Sequence, residues 1–482
     1  MRALLSSRSL TGIGPLYLFL LSIGCGASDA LEPSAVQEPE VVVHNVLYDN
    51  KLEDINPSRT IVEVELEAAW SDIDVGTGEP LRMMTYNGVF PGPLLEANVG
   101  DLVIVHMKNS LDEPTTVHWH GLRIPDVMDG TPRVQIPIQP GETFTYTFQV
   151  PDAGSFWYHP HIRSDIQIER GLYGPIIVRD PNEPKVDAER IVIVDDILLN
   201  ESGDDLEPFS ALRFGMHGRM GNLLLSNGRA DSAAIEHAPV ALGTVERWRI
   251  FNTSNARTFV LTVDGTADAK VVGTDGGAVE PYALDWLLVP IGQRYDVLVT
   301  HGVYNEAQVT AHLPALDENN EVVQVPVPLY RVGIDRELES VANRVVWPEV
   351  DLSEFSERAI DESVEISLAG YATDTGISWT VNNLENPMEP IFTFKKGDTV
   401  EITLKNETGP EHPFHLHGQF FEIVDDGRYF TSQPGLKDTV LVPGNTELKI
   451  RAYFDNPGHW MAHCHILEHA ALGMMSEILV LP

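Results

Sequence analysis

The sequence predicts an all-β protein built from three Greek-key β-sandwich domains in tandem. Three observations carry that prediction. A strand-sized block recurs three times, 38 glycines and 33 prolines punctuate the chain, and the length is 482 residues. At roughly 150 residues per domain, that length allows about three domains. The composition is that of a globular chain, 43% hydrophobic, neither collagen-like nor disordered. Against 71 acidic residues stand 32 basic ones, a formal net charge of −39. A chain this acidic repels phosphate backbones, which excludes nucleic-acid binding through a basic groove.

The N-terminal segment comes first and reads as an export signal. Arg2 and Arg8 precede the apolar run Leu16-Tyr17-Leu18-Phe19-Leu20-Leu21, too short to span a bilayer comfortably. Residues 1–24 are therefore expected to be a signal peptide. Leu21-Ser22-Ile23-Gly24-Cys25 resembles a relaxed bacterial lipobox, which would leave Cys25 lipidated; cleavage after Ala27 or Ala30 is the alternative. Residues 25–40, rich in Pro, Glu and Ala, read as a tether. No later stretch is apolar and long enough for a transmembrane helix. The expected location is outside the cytoplasm, as a periplasmic or cell-surface lipoprotein or a secreted protein. The membrane would be touched only through a lipid on Cys25.

The repeat sets the register of the three domains, placed at 41–182, 183–350 and 351–482. Gly100-Asp101-Leu102-Val103-Ile104-Val105-His106-Met107-Lys108-Asn109 is echoed by Gly397-Asp398-Thr399-Val400-Glu401-Ile402-Thr403-Leu404-Lys405-Asn406. A weaker copy is Gly243-Thr244-Val245-Glu246-Arg247-Trp248-Arg249-Ile250-Phe251-Asn252. Val400, Ile402 and Leu404 alternate with polar residues, the period of a strand with one buried face. Nine and eleven residues after Asn109 stand His118 and His120, and at the same offsets from Asn406 stand His415 and His417. In the middle copy those offsets give Leu261 and Val263. A second block repeats only in the outer copies: His159 and His161 follow Gly154 by five and seven residues, as His463 and His465 follow Gly458. The middle domain therefore carries neither histidine pair.

Four His-x-His pairs point to metal. Residues i and i+2 share a strand face, so each pair presents two imidazoles to one side. Eight aligned imidazoles without metal would be poorly solvated and would repel one another when protonated. Cys464 lies between His463 and His465, so its thiol projects to the opposite face, where a second ligand set is expected. His412, His469 and Met474 are within reach of it. Two His, a Cys thiolate and a distant Met are the ligands of a blue-copper electron-transfer site. Zinc gains little from a thioether, and iron–sulfur clusters need more thiolates.

These segments resemble the copper signatures of the multicopper oxidase family, and the chain fits its three-domain, laccase-like branch. His463-Cys464-His465-Ile466-Leu467-Glu468-His469 with Met474 is the most specific match. The resemblance implies three cupredoxin domains and four copper ions. His412, Cys464 and His469 would hold type 1 copper, with Met474 axial. His118 and His415 would hold type 2 copper. His120, His159 and His465 would bind one type 3 copper, and His161, His417 and His463 the other. A donor would give electrons one at a time to the type 1 copper near the exposed edge of His469 or His412. Through Cys464 they would reach the trinuclear site, where O2 is reduced to water.

That reduction needs protons. Asp129 matches the position of an acid in related oxidases, and reads otherwise as a turn aspartate before Gly130. Ala470 departs from relatives that carry an acid there. The leading expectation is a laccase-like enzyme that oxidises phenols or aromatic amines; the alternative is a metallo-oxidase acting on Cu(I), Fe(II) or Mn(II). No Met-rich insertion stands ready for Cu(I), the nearest candidate being Met216-His217-Gly218-Arg219-Met220, which reads as a packed loop. A copper-free scaffold protein is disfavoured because ten histidines and the cysteine all stand in place.

Overall fold

A computed structural model describes residues 45–482 except 236, 284, 318–319, 342–344, 375 and 428–432. The signal segment, Cys25 and the tether expected over 25–40 lie outside the described residues. Each repeated block forms a strand that ends on its asparagine: Leu102–Asn109, Val245–Asn252 and Thr399–Asn406. In the last of these, Val400, Ile402 and Leu404 are fully buried, while Glu401, Thr403 and Lys405 are only partly covered. The middle strand is buried on both faces. Its apolar side chains Trp248 and Ile250 enter the core. Arg247 and Arg249 point the other way, and Arg249 donates to Ser155 Oγ of the first domain (2.9 Å) while pairing with Glu189 of its own (2.6 Å). An interdomain face explains why this copy lost the simple alternation.

The terminal asparagines do the same work three times. Asn109 Nδ2 donates to the carbonyls of Glu113 (2.9 Å) and Ile138 (2.8 Å), and Oδ1 accepts from Leu111 N (3.0 Å). Asn252 repeats this with Arg257 (2.8 Å), Val289 (2.8 Å) and Ser254 N (3.1 Å). Asn406 repeats it with Pro410 (2.7 Å), Val442 (3.1 Å) and Thr408 N (2.9 Å). A buried amide thus satisfies backbone groups that would otherwise be orphaned where the chain leaves the strand. It also fixes the chain's entry into the segment that carries His-x-His in the outer domains.

Among the described residues, six sheets pair into three sandwiches. The first domain has two four-stranded sheets, one of them ordered Leu95–Asn98, Gly174–Arg179, Gly154–His159, His118–His120. The third has two five-stranded sheets, one ordered Phe392–Lys395, Met475–Leu481, Gly458–Cys464, His412–Leu416, Thr439–Val442. In both, the strand carrying the first His-x-His lies beside the strand leading to the second. The middle domain has a seven-stranded and a five-stranded sheet. Val46–Leu47 joins the former, pairing in parallel with Glu189–Arg190, although it precedes the first sandwich in the chain. Each sandwich has its own apolar core. Phe420 and Leu436 of the third domain pack into the core of the first, an apolar seam between the two histidine-bearing domains.

Candidate metal centre

Strand pairing sets His118 opposite His159, and His415 opposite His463. His118 and His120 share one strand face as expected. In the other three pairs the second histidine (His161, His417, His465) lies just past its strand end. All eight meet between the first and third domains. His118 stacks on His417 (centroids 3.9 Å apart) and His120 on His415 (3.8 Å), each stack joining one domain to the other. His417 Nε2 lies 3.0 Å from His463 Nε2, and His159 Nε2 3.5 Å from His120 Nδ1.

Each ring that donates outward leaves its other nitrogen facing in. His118 Nδ1 donates to the Asp129 carbonyl (2.9 Å), His415 Nδ1 to the Asp438 carbonyl (2.9 Å), His159 Nδ1 to Pro160 O (3.1 Å) and His463 Nδ1 to Cys464 O (2.9 Å). Such outward bonds orient metal-binding imidazoles and set their tautomer. Burial, and then the neighbouring imidazoles, holds His120, His159, His161, His415, His417 and His465 well below the usual histidine range; burial brings His463 down to about 4. These seven rings are neutral near pH 7. The Nε2 atoms of His118, His161, His415 and His465 are buried without a hydrogen-bond partner. Buried imidazole nitrogens converging within reach of one another are what a cluster of copper ions requires, and the residues fit one.

Two aspartates flank the cluster in equivalent fashion. Asp129 Oδ2 accepts from His417 Nδ1 (2.9 Å), and its Oδ1 lies 3.2 Å from His118 Nδ1. Asp438 Oδ1 accepts from His120 Nε2 (3.1 Å), and its carbonyl holds His415. Each thus touches one histidine from each outer domain. Asp438 was not legible in the sequence. Asp129 follows its His-x-His by nine residues and Asp438 by twenty-one, so the repeat register does not align them.

On the far side of the Gly458–Cys464 strand, Cys464 Sγ lies 3.6 Å from both His412 Nδ1 and His469 Nδ1, which are 3.1 Å from each other. Burial brings His412 down to about 3 and His469 well below its usual range, and pushes the Cys464 thiol up. Ile466 N donates to the sulfur (3.4 Å). Cys464 N donates to Met474 O (3.1 Å) and Met474 N to His469 O (3.0 Å), which ties the three segments together. Met474 is fully buried in the same core as Cys464; Met475 is partly exposed on the next strand.

The edges of His412 and His469 are not open to solvent, contrary to expectation: both residues are 0% exposed. Thr408 Oγ1 covers His412 Nε2 (2.8 Å), and the Met216 carbonyl accepts from His469 Nε2 (3.3 Å). Met216-His217-Gly218-Arg219-Met220 does pack as a loop, and it packs on this site. Trp379 Nε1 donates to Gly215 O (2.6 Å) and Arg219 N to Glu468 Oε2 (3.1 Å). At Gly218 a Cβ would meet Ala256 Cβ at 2.3 Å, so only glycine permits so close an approach. Glu468, raised to about 8 by burial, anchors this cap and takes a second bond from Asn255 Nδ2 (3.1 Å). The side chains of Met216 and Met220 stay 46% and 48% exposed on the outer surface of the cap.

Three family models described as multicopper oxidase match residues 67–183, 186–308 and 361–482. Multicopper oxidase MmcO of Mycobacterium tuberculosis is 33% identical over 448 residues, covering 84% of this chain and 84% of its own. Laccase-2 of Cryptococcus neoformans var. grubii is 28% identical, with 94% and 90% covered. Among solved structures, a multicopper oxidase from Campylobacter jejuni described as a metallo-oxidase superposes with a TM-score of 0.77 at 27% identity, covering 91% of this chain and 96% of that one.

Proposed function

The chain belongs to the multicopper oxidase family, and from that premise we propose that it is a laccase-like oxidase using the ligands named above. It is a copper-dependent oxidoreductase with O2 as electron acceptor, carrying one type 1, one type 2 and two type 3 coppers. The cupredoxin sandwiches supply the frame. In our reading His412, Cys464, His469 and Met474 hold type 1 copper, and His118 and His415 hold type 2. His120, His159 and His465 hold one type 3 ion, and His161, His417 and His463 the other. The observation that carries the proposal is the convergence of eight buried imidazoles one strand face away from a buried thiol with two more. When bound, the coppers supply one-electron acceptance at Cys464 and four-electron reduction of O2 to water at the histidine cluster.

The residues of this chain do the rest. Cys464 is bonded through the backbone to His463 and His465, and its carbonyl accepts a hydrogen bond from His463 Nδ1 (2.9 Å). Electrons therefore have a short, mostly bonded route between the two sites. Asp129, buried against His417 and His118, is the candidate acid for the protons that the reduction consumes. Burial of both rings beside Cys464 excludes water from the electron-accepting site. Phenols or aromatic amines deliver electrons across the cap, through the Met216 carbonyl to the His469 ring.

The metallo-oxidase reading gains one specific observation. The exposed thioethers of Met216 and Met220 with His217 lie on the loop that covers His469, a soft ligand set suited to Cu(I) rather than to Fe(II) or Mn(II). The charged start and apolar run before Cys25 support export, to the periplasm or cell surface as a lipoprotein anchored at Cys25, or by secretion. Among the described residues no helix is long and apolar enough to cross a membrane. A donor panel on copper-loaded protein tests the function. An intense blue band and O2 uptake with phenols are expected, and Cys464→Ser abolishes the blue band. Turnover with metal ions alone would overturn the phenol reading, and a colourless loaded protein would overturn both.

A further inference from the structure

The middle domain carries none of the expected copper ligands, yet one of its side chains reaches the edge of the cluster. Arg294 is fully buried. Its Nη1 donates to Asp438 Oδ1 (2.9 Å) and its Nη2 to Asp438 Oδ2 (2.6 Å), a two-pronged grip on the carboxylate. Its Nε donates to the Ser155 carbonyl of the first domain (2.8 Å), and its backbone N to Asp275 of its own domain (2.7 Å). Next to it, Gln293 Nε2 donates to the Thr439 carbonyl (2.7 Å). Asp438 in turn holds His120 of the first domain through Oδ1 (3.1 Å) and His415 of the third through its carbonyl (2.9 Å). Three domains therefore meet at one carboxylate.

Two further observations mark this as a built feature. A Cβ on Gly121 would lie 2.5 Å from Arg294 Nη2 and 2.5 Å from Asp438 Oδ2. The glycine that closes His118-Trp119-His120-Gly121 thus makes room for the ion pair. The cluster is also asymmetric. Asp129 occupies the equivalent place on the opposite side, and its ion pairs are with His118 and His417; Asp438 has Arg294 in addition.

We propose that Arg294 is a positioning residue for O2 reduction: acting through Asp438, it fixes the His120–His415 stack that joins a type 3 ligand to a type 2 ligand across the domain boundary. The middle domain then does more than space the outer two. A carboxylate free to rotate would release His120 Nε2, and the two stacked rings would lose their common orientation. Lysine cannot replace the arginine, because a single ammonium offers no planar fork to hold both carboxylate oxygens. The inference rests on the ligand reading above.

The test compares Arg294→Met, Arg294→Lys, Asp438→Asn and the double variant R294M/D438N as copper-loaded proteins. The readouts are copper content, the blue band and the electron paramagnetic resonance signal of type 2 copper. R294M and D438N are expected to keep the blue band, lose at least about half of the type 2 signal or shift its splitting, and reduce O2 turnover at least about tenfold; R294K falls between them and the parent. Because Arg294 acts through Asp438, the double variant should match D438N within about twofold. Should R294M fail to fold, R294K decides, since it keeps the charge and loses only the fork. Four coppers with an unchanged type 2 signal in R294K or R294M, or effects that multiply in the double variant, would overturn the proposal. A colourless parent protein would instead strike the ligand reading.

Discussion

Replacing Asn252 and Asn406 separately with alanine tests whether the repeated asparagine is a structural device independent of copper. Each side chain makes two donor bonds and one acceptor bond to buried backbone. At about 1 kcal/mol net per bond, each truncation costs about 3 kcal/mol, more where a carbonyl is left unpaired. For a domain of this size that lowers its melting temperature by about 10 °C. Copper-free protein is the right sample for calorimetry, since bound metal would add its own stabilisation. The two variants then diverge on copper loading. Thr408 Oγ1 lies 2.7 Å from Asn406 Oδ1 and 2.8 Å from His412 Nε2, so Asn406→Ala releases a group that orients His412 and should shift the blue band. Asn252→Ala has no such link and should leave the band alone. A melting change within about 2 °C in either variant, or an equal spectral change in both, would refute the reasoning.

Other expectations follow from protonation and from the cap. His412 and His469 have depressed values and are neutral at pH 7, whereas the Cys464 thiol is raised and still carries its proton. Loading the type 1 site at pH 7 should therefore release about one proton, and not three; calorimetry in buffers of different ionisation heat measures it, and release of two or more would contradict the assignment. By the same sign, proton competition at His463 and His412 begins only as pH falls through about 4 and about 3. From pH 7 to 5 type 1 copper affinity should fall by only about tenfold per pH unit, from the Cys464 proton alone, and a fall near a hundredfold per unit in that window would count against the assignment. Met216→Leu with Met220→Leu keeps side-chain volume and the Met216 carbonyl while removing both sulfurs. If the cap receives Cu(I), the ratio of cuprous to phenol turnover should fall about tenfold; an unchanged ratio removes that reading.

Much of this molecule was determined locally by its sequence. Period-two alternation marks the Thr399–Asn406 strand because a half-buried strand must alternate, and His-x-His marks candidate ligands because residues two apart on a strand share a face, as His118 and His120 do. Cys464 between two histidines announces the second site for the same reason. The threefold recurrence of the block that ends on Asn109, Asn252 and Asn406 made three sandwiches legible without any tertiary contact. What the tertiary structure decided was everything that depends on which surfaces meet. Arg294 looks like any strand arginine until its partner, 144 residues away in sequence, is placed beside it. Asp438 carries no local signature because its register to the histidines differs from that of Asp129. The cap on His469 arises from a middle-domain loop whose fit depends on Gly218 and Glu468, residues ordinary in isolation. Local pattern encodes which way a side chain points from its own backbone; long-range packing alone determines what it points at.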